Sequence, residues 1–141
     1  MSYSLNRSSL RQLIVESVDM MLPRCHVSEI EINSIPILVE IADTDFLRNR
    51  GLMFRQHMPE NSGMLFVFPG SDKRGFWMKN TLIPLSIAFI NEGGHIINIE
   101  NLNPNDLNSR YSSGPARYAL EMNSGWFDKN GVRPGNKVFR I

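Results

Sequence analysis

Cysteine is nearly absent. Cys25 is the sole one in 141 residues, so no internal disulfide can form and no thiolate cluster can be built. An excess of charge is absent too. Fifteen Lys and Arg face 14 Asp and Glu, which gives no basic field of the kind nucleic-acid binders carry. No apolar run approaches the ~20 residues of a membrane helix. Leu13-Ile14-Val15, followed by Glu16 and Asp19, is too short for the apolar core of a signal peptide. A soluble, cytoplasmic chain without an integral membrane segment is the expectation. His26, His57 and His95 stand at no metal-ligand spacing. Neither GxGxxG, a phosphate loop nor a GxSxG elbow occurs, so no metal and no cofactor is expected. Cys25 and His26 are adjacent, but neighbouring side chains in an extended segment point apart, which argues against a nucleophile and its base.

What is present is enough for one domain. The length fits a single unit, and 42% hydrophobic residues supply its core. Residues 1–24 read as an amphipathic helix or extension, with Leu10, Leu13, Ile14, Val18, Met21 and Leu22 near helical spacing and Pro23 as its stop. A terminal helix of this kind packs on its domain or docks a partner, and the low charge of its polar side argues against a membrane surface. Asn6-Arg7-Ser8 is a glycosylation sequon without a secretory context.

Residues 27–141 read as one compact β-rich domain. Glu29-Ile30-Glu31-Ile32 alternates, Asn33-Ser34 is a turn, and Ile37, Val39 and Ile41 share one face of a second strand. Asp43 or Thr44 caps a short helix that ends at Gly51. Met64-Leu65-Phe66-Val67-Phe68 is apolar on both faces and suits a central, doubly covered strand. Pro69-Gly70-Ser71-Asp72 is expected to turn the chain, and Gly93-Gly94 to form a two-residue hairpin with positive φ at both positions. Tyr118, Leu120 and Met122 share one face of a later strand, with Arg117, Ala119 and Glu121 on the other. Gly125 opens one helical turn, and Arg133-Pro134-Gly135-Asn136 fits a type II turn. The predicted fold is mainly β (α+β): a small barrel or sandwich of short, mostly antiparallel strands with one or two short helices and the N-terminal helix.

The segment Gly75-Phe76-Trp77-Met78-Lys79-Asn80-Thr81 concentrates chemistry. If extended, it sets Trp77 and Lys79 on one face and Phe76, Met78 and Asn80 on the other. An aromatic platform beside an ammonium suits an anionic or planar ligand. An equally economical reading makes Trp77 core, with the lysine stem passing it to water.

Gly51-Leu52-Met53-Phe54-Arg55, Gly63-Met64-Leu65-Phe66, Phe76-Trp77-Met78-Lys79-Asn80-Thr81 and Ile83-Pro84-Leu85 resemble, in this order, the domain of unknown function 192 family. Leu120-Glu121-Met122 with Gly125, and Gly131-Val132 with Gly135, resemble its C-terminal signature. The resemblance runs from about Ile37 to Val138 and implies a compact, largely β fold, with no catalytic residues to carry over. Two positions depart from the family pattern: Ser86 stands where P-L-D-I is usual, and Asn91 where an acid often follows F-I. Many members look exported, and this chain shows no export signal.

Three functions fit these residues. The first is a binding module for a small anionic ligand or a peptide segment, with Arg55, Trp77, Lys79, Asn80 and Glu121 as its site. The second is an enzyme using Lys79 and Glu121 as an acid–base pair, with Asn80 polarising a carbonyl. The third is a structural or assembly protein without a ligand, in which Lys79 and Glu121 form a buried pair. The ligand, the strand order, any Lys79–Glu121 contact and the oligomeric state are not specified by sequence.

Overall fold

The structure, a computed structural model, describes residues 25–141. The helix expected over residues 1–24 lies outside them. The fold is mainly β, as predicted. Seven strands form one sheet in the order β6-β5-β8-β3-β2-β1-β9. They are β1 (His26–Ile32), β2 (Ile35–Ala42), β3 (Ser62–Asp72), β5 (Leu85–Ile90), β6 (Ile96–Leu102), β8 (Ala116–Asn123) and β9 (Val138–Phe139). A separate two-stranded ribbon joins β4 (Gly75–Phe76) to β7 (Arg110–Tyr111). Two short helices, α1 (Asp45–Arg50) and α2 (Trp126–Lys129), complete the described elements. Among the described residues no helix is long and apolar enough to cross a membrane.

All ladder pairings are antiparallel except β2–β3, which is parallel because α1 and the segment after it carry the chain back to the start of β3. The sheet curls. The stretch before β9 meets the β5–β6 hairpin through an isolated bridge, His95–Lys137, and through the Gly135 amide donating to the Ile96 carbonyl at 2.7 Å. The result is a half-barrel whose two end strands approach each other.

Period-two patterning decides which side chains go to which face. Ile30, Ile32, Ile37, Val39, Leu65, Leu120 and Met122 build one core with Trp126 and Phe127 of α2. The alternate residues, Met64, Phe66, Leu85, Ile87, Phe89 and Ala119, build a second core under Leu47 of α1, Leu52 and Met78. All six residues of β5 are buried, so this strand is covered on both sides. Burial of each large apolar side chain contributes on the order of 1.5–3 kcal/mol.

The predicted caps hold. Thr44 Oγ1 accepts from the Leu47 amide at 3.2 Å, and α1 ends at Gly51 with φ 50°. Asn136 donates to the Arg133 carbonyl, and Gly135 has φ 95°. Two turn expectations need correction. Pro69 and Gly70 do not reverse the chain. β3 runs through them to Asp72 with an irregular register against β8 between Val67 and Asp72, so the breakers bend the strand. At Gly93-Gly94, only Gly94 has positive φ, 84°. The loop is longer, with the Asn91 amide donating to the His95 carbonyl and Asn91 Oδ1 accepting from the His95 amide. The tight turn with two positive φ values is instead Asn33-Ser34, at 50° and 64°.

Gly63 is the closest approach in the sheet. A Cβ there would lie 2.4 Å from the Glu121 carbonyl oxygen and 2.4 Å from Met122 Sδ. Gly63→Ala is therefore expected to destabilise by roughly 1–3 kcal/mol, as overpacking does. Gly70→Ala, with nothing within 4 Å of its Cβ, serves as the control. Urea midpoints compare the two, and an unchanged Gly63→Ala would refute the close packing of β3 on β8.

Candidate site: a cationic cavity over a buried carboxyl

Glu121 sits in the middle of the sheet. Its direct neighbours are Met64 on β3 and Ile87 on β5. Alternation on β8 sends Tyr118, Leu120 and Met122 into the first core and turns Glu121 to the second, where it is 4% exposed. Among the described residues its carboxyl has neither a hydrogen-bond nor an ion-pair partner. Burial pushes its pKa up to about 8, because removal from water disfavours the charged form. Near neutral pH the group is an uncharged acid.

This carboxyl lies at the wall of a cavity of about 340 Å³. Four cations share that wall: Arg48 and Arg50 from the last turn of α1, and Lys73 and Arg74 from the turn before β4. Phe66, Phe68, Phe76 and Trp77 supply its aromatic surface. Phe76 stacks edge-on against Phe66, with centroids 4.8 Å apart, and against Phe89 at 5.8 Å.

Two of the cations are held by the backbone. Arg48 Nη1 donates to the Val67 carbonyl and Nη2 to Asp45, both at 2.8 Å. Arg74 donates to the Ala116 and Gly70 carbonyls. Their guanidinium carbons lie 5.5 and 4.0 Å from the Phe68 ring centroid, so this ring steers both. Neutral carbonyl acceptors leave the Arg74 charge uncompensated by any carboxylate they supply. Lys73 Nζ lies 5.7 Å from the Tyr111 ring.

The residues expected from sequence are distributed around this cavity. Trp77 lines it and is 48% exposed, so it is not a core residue. Lys79 Nζ sits 5.6 Å from the Trp77 ring, as the shared face predicts, but Lys79 is not among the cavity-lining residues and makes no ion pair with Glu121. Arg55 binds Glu40 through two bonds of 2.5 and 2.8 Å. Asn80 is exposed at φ 56°, and its carbonyl accepts from the amide of Phe54, itself at φ 66°, at 2.8 Å. The structure thus brings Trp77 and Glu121 to one cavity, keeps Lys79 against Trp77, and places Arg55 and Asn80 in the scaffold beside it. Sequence reasoning missed Arg48, Arg50, Lys73 and Arg74. The sequence carries a local signal for two of these, since Lys73-Arg74 directly precedes Gly75-Phe76-Trp77.

Ser86 points to the other face. It is buried, and its Oγ accepts from the Gly125 amide at the start of α2 at 3.0 Å. A carboxylate could accept the same bond, so the departure at this position concerns the α2 end and leaves the cavity untouched.

The buried acid has a consequence for stability. Between the unfolded value near 4.5 and about 8, the native state holds a proton that the unfolded chain has released. Stability from this group is therefore present at low pH and is lost as pH rises through that window, by about 1.4 kcal/mol per pH unit. Glu121→Gln removes the effect. Denaturant midpoints at about pH 5 and pH 8 should show the variant gaining on the parent at the higher pH. Parallel pH profiles would mean that Glu121 titrates normally.

Comparison with known proteins agrees with this fold. A protein from Sinorhizobium meliloti 1021, described as a candidate transcription regulator, superposes with a TM-score of 0.80 at 33% identity, covering 83% of this chain and 95% of that one. A protein of unknown function from Novosphingobium aromaticivorans DSM 12444 superposes at 0.76 with 32% identity, over 83% and 91% of the two chains. No protein in the curated set matches. The model of DUF192, described as an uncharacterized ACR, matches residues 28–139, which takes in the sheet from the third residue of β1 to the end of β9. The chain belongs to the DUF192 family.

Proposed function

We propose that the protein is a binding module for a small organic anion carrying a planar group. The observation that carries this reading is the cavity itself: a buried, unpartnered Glu121 carboxyl beneath four cationic side chains and the half-exposed Trp77 ring. The Glu121 carboxyl is largely removed from water yet lines the cavity, where a ligand can complete its hydrogen bonding. Perturbed acids in clefts are functional-site candidates for that reason. Lys73 and Arg74, which have no carboxylate partner among the described residues, attract an anion, and Trp77, beside Lys79, offers a planar surface. The cavity volume lies at the small end of ligand sites and fits a compact molecule better than a long one.

An acid–base enzyme built on Lys79 and Glu121 is less well supported, because Lys79 rests against Trp77 and not on the cavity wall. A signal-binding role in regulation, in line with the description of the S. meliloti relative, is compatible with the same cavity. Direct nucleic-acid binding is disfavoured by the near-balanced charge.

Benzoate and inorganic phosphate are suitable first probes, with Trp77 fluorescence and thermal melting as readouts. Benzoate is expected to raise the melting temperature and perturb Trp77, and phosphate to bind more weakly. Lys73→Ala and Trp77→Ala should each weaken benzoate binding roughly tenfold, the scale of one charge-assisted or aromatic contact. Arg110→Ala, away from the cavity wall, should leave it unchanged. No response to either anion at millimolar concentration would overturn the reading.

A further inference from the structure

We propose that the Glu121 carboxyl is the hydrogen-bond donor to the ligand's anionic group, so that the cavity holds its anion and one proton as a unit. This rests on the anion-binding reading above and adds to it the form of the acid that binds. A protonated carboxyl offers one O–H, and donation to a negatively charged oxygen gives one of the short, strong hydrogen bonds. An ionised carboxylate offers acceptors only and repels the same ligand.

The surroundings of Glu121 favour the protonated form from the sheet side and the anion from the opposite side. Along the sheet, the row on its face reads Glu40, Met64, Glu121, Ile87, Glu100. Its immediate neighbours are apolar. The nearest acids in the row stand two strands away, ~10 Å at ordinary strand spacing. Glu40 is paired with Arg55, and Glu100 accepts from Asn98 at 3.4 Å. The covering layer brings Arg48 and Arg50 from α1, Lys73 and Arg74 from the turn before β4, and the Thr81 hydroxyl, which is bonded to the Lys79 carbonyl at 3.2 Å. None of these cations forms an ion pair with Glu121 in the described structure. Lys73 and Arg74, neither of them paired with a carboxylate among the described residues, form the part of the wall where the negative charge of a ligand is welcome, while the sheet beneath supplies a proton donor in an apolar setting. The acid stays protonated up to about pH 8 because it is buried, so the donor is in place at neutral pH.

Benzoate affinity is measured by Trp77 fluorescence from about pH 6 to pH 9.5, for the parent and for Glu121→Gln, whose amide keeps a donor that does not titrate. Isothermal calorimetry of the parent near pH 9, in two buffers of different ionisation enthalpy, counts protons without any variant. Parent affinity should be level below about pH 8 and fall about tenfold per unit above it. Glu121→Gln should bind with no such fall, and the parent should take up close to one proton near pH 9. A parent profile level throughout, an unchanged slope in Glu121→Gln, or no proton uptake overturns the inference while leaving anion binding intact. No binding of benzoate or phosphate by the parent at any pH overturns the anion-site reading and this inference together.

Discussion

A sheet whose central strands are apolar on both faces must be covered on both, and most of this molecule follows from that requirement. β3, β8 and β5 send alternate residues into two separate cores. One is closed by the curl of the sheet and by Trp126 and Phe127. The other needs a lid made from pieces: one turn and a half of helix, the segment after it, and the β4 strap with Met78. A lid of short pieces cannot tile a curved surface without a gap. The gap falls over Glu121, and the lid supplies cationic edges where its helix ends and its turn begins.

The electrostatics of the site are local. The chain as a whole carries a formal charge of +1, yet four cations converge on one small cavity with a single buried acid among them. Arg74 is fixed by carbonyl oxygens and the Phe68 ring, which orient a guanidinium without cancelling its charge, whereas Arg48 is shared between the Val67 carbonyl and the Asp45 carboxylate. Arg55, by contrast, is held by Glu40, and its charge is neutralised in the pair. This difference in partner separates the cations that can serve a ligand from those that serve the scaffold.

Much of the fold was legible because strand period is a local property. Glu29-Ile30-Glu31-Ile32 and residues 117–122 alternate as read, and the Thr44 cap and Gly51 stop follow from side-chain chemistry within one turn. The pattern could not say which of two opposite faces meets water. The Arg117, Ala119 and Glu121 face of β8 reads equally as solvent-facing or as a polar pocket wall, and Glu121 lies at a cavity wall lined also by residues of α1 and the β4 strap, distant in sequence. Pro69-Gly70 reads as a turn and is a bend within β3, since pairing with β8 continues beyond it. Arg48 and Arg50 were illegible for a related reason: each is ordinary in its own segment, and the β2–β3 crossover brings them to the wall that Lys73 and Arg74 reach from the turn before β4.

The bond from the Phe54 amide to the Asn80 carbonyl joins two residues in the left-handed region, a conformation that costs non-glycine residues roughly 1–2 kcal/mol each. Local preference does not choose it. It is imposed from beneath by buried Met78 and Leu52, the anchors on either side of the strap. The rim that carries Trp77 therefore takes its shape when the sheet folds. A ligand meets a preorganised wall, and the loss of conformational entropy that a loose rim would subtract from affinity has already been absorbed by folding.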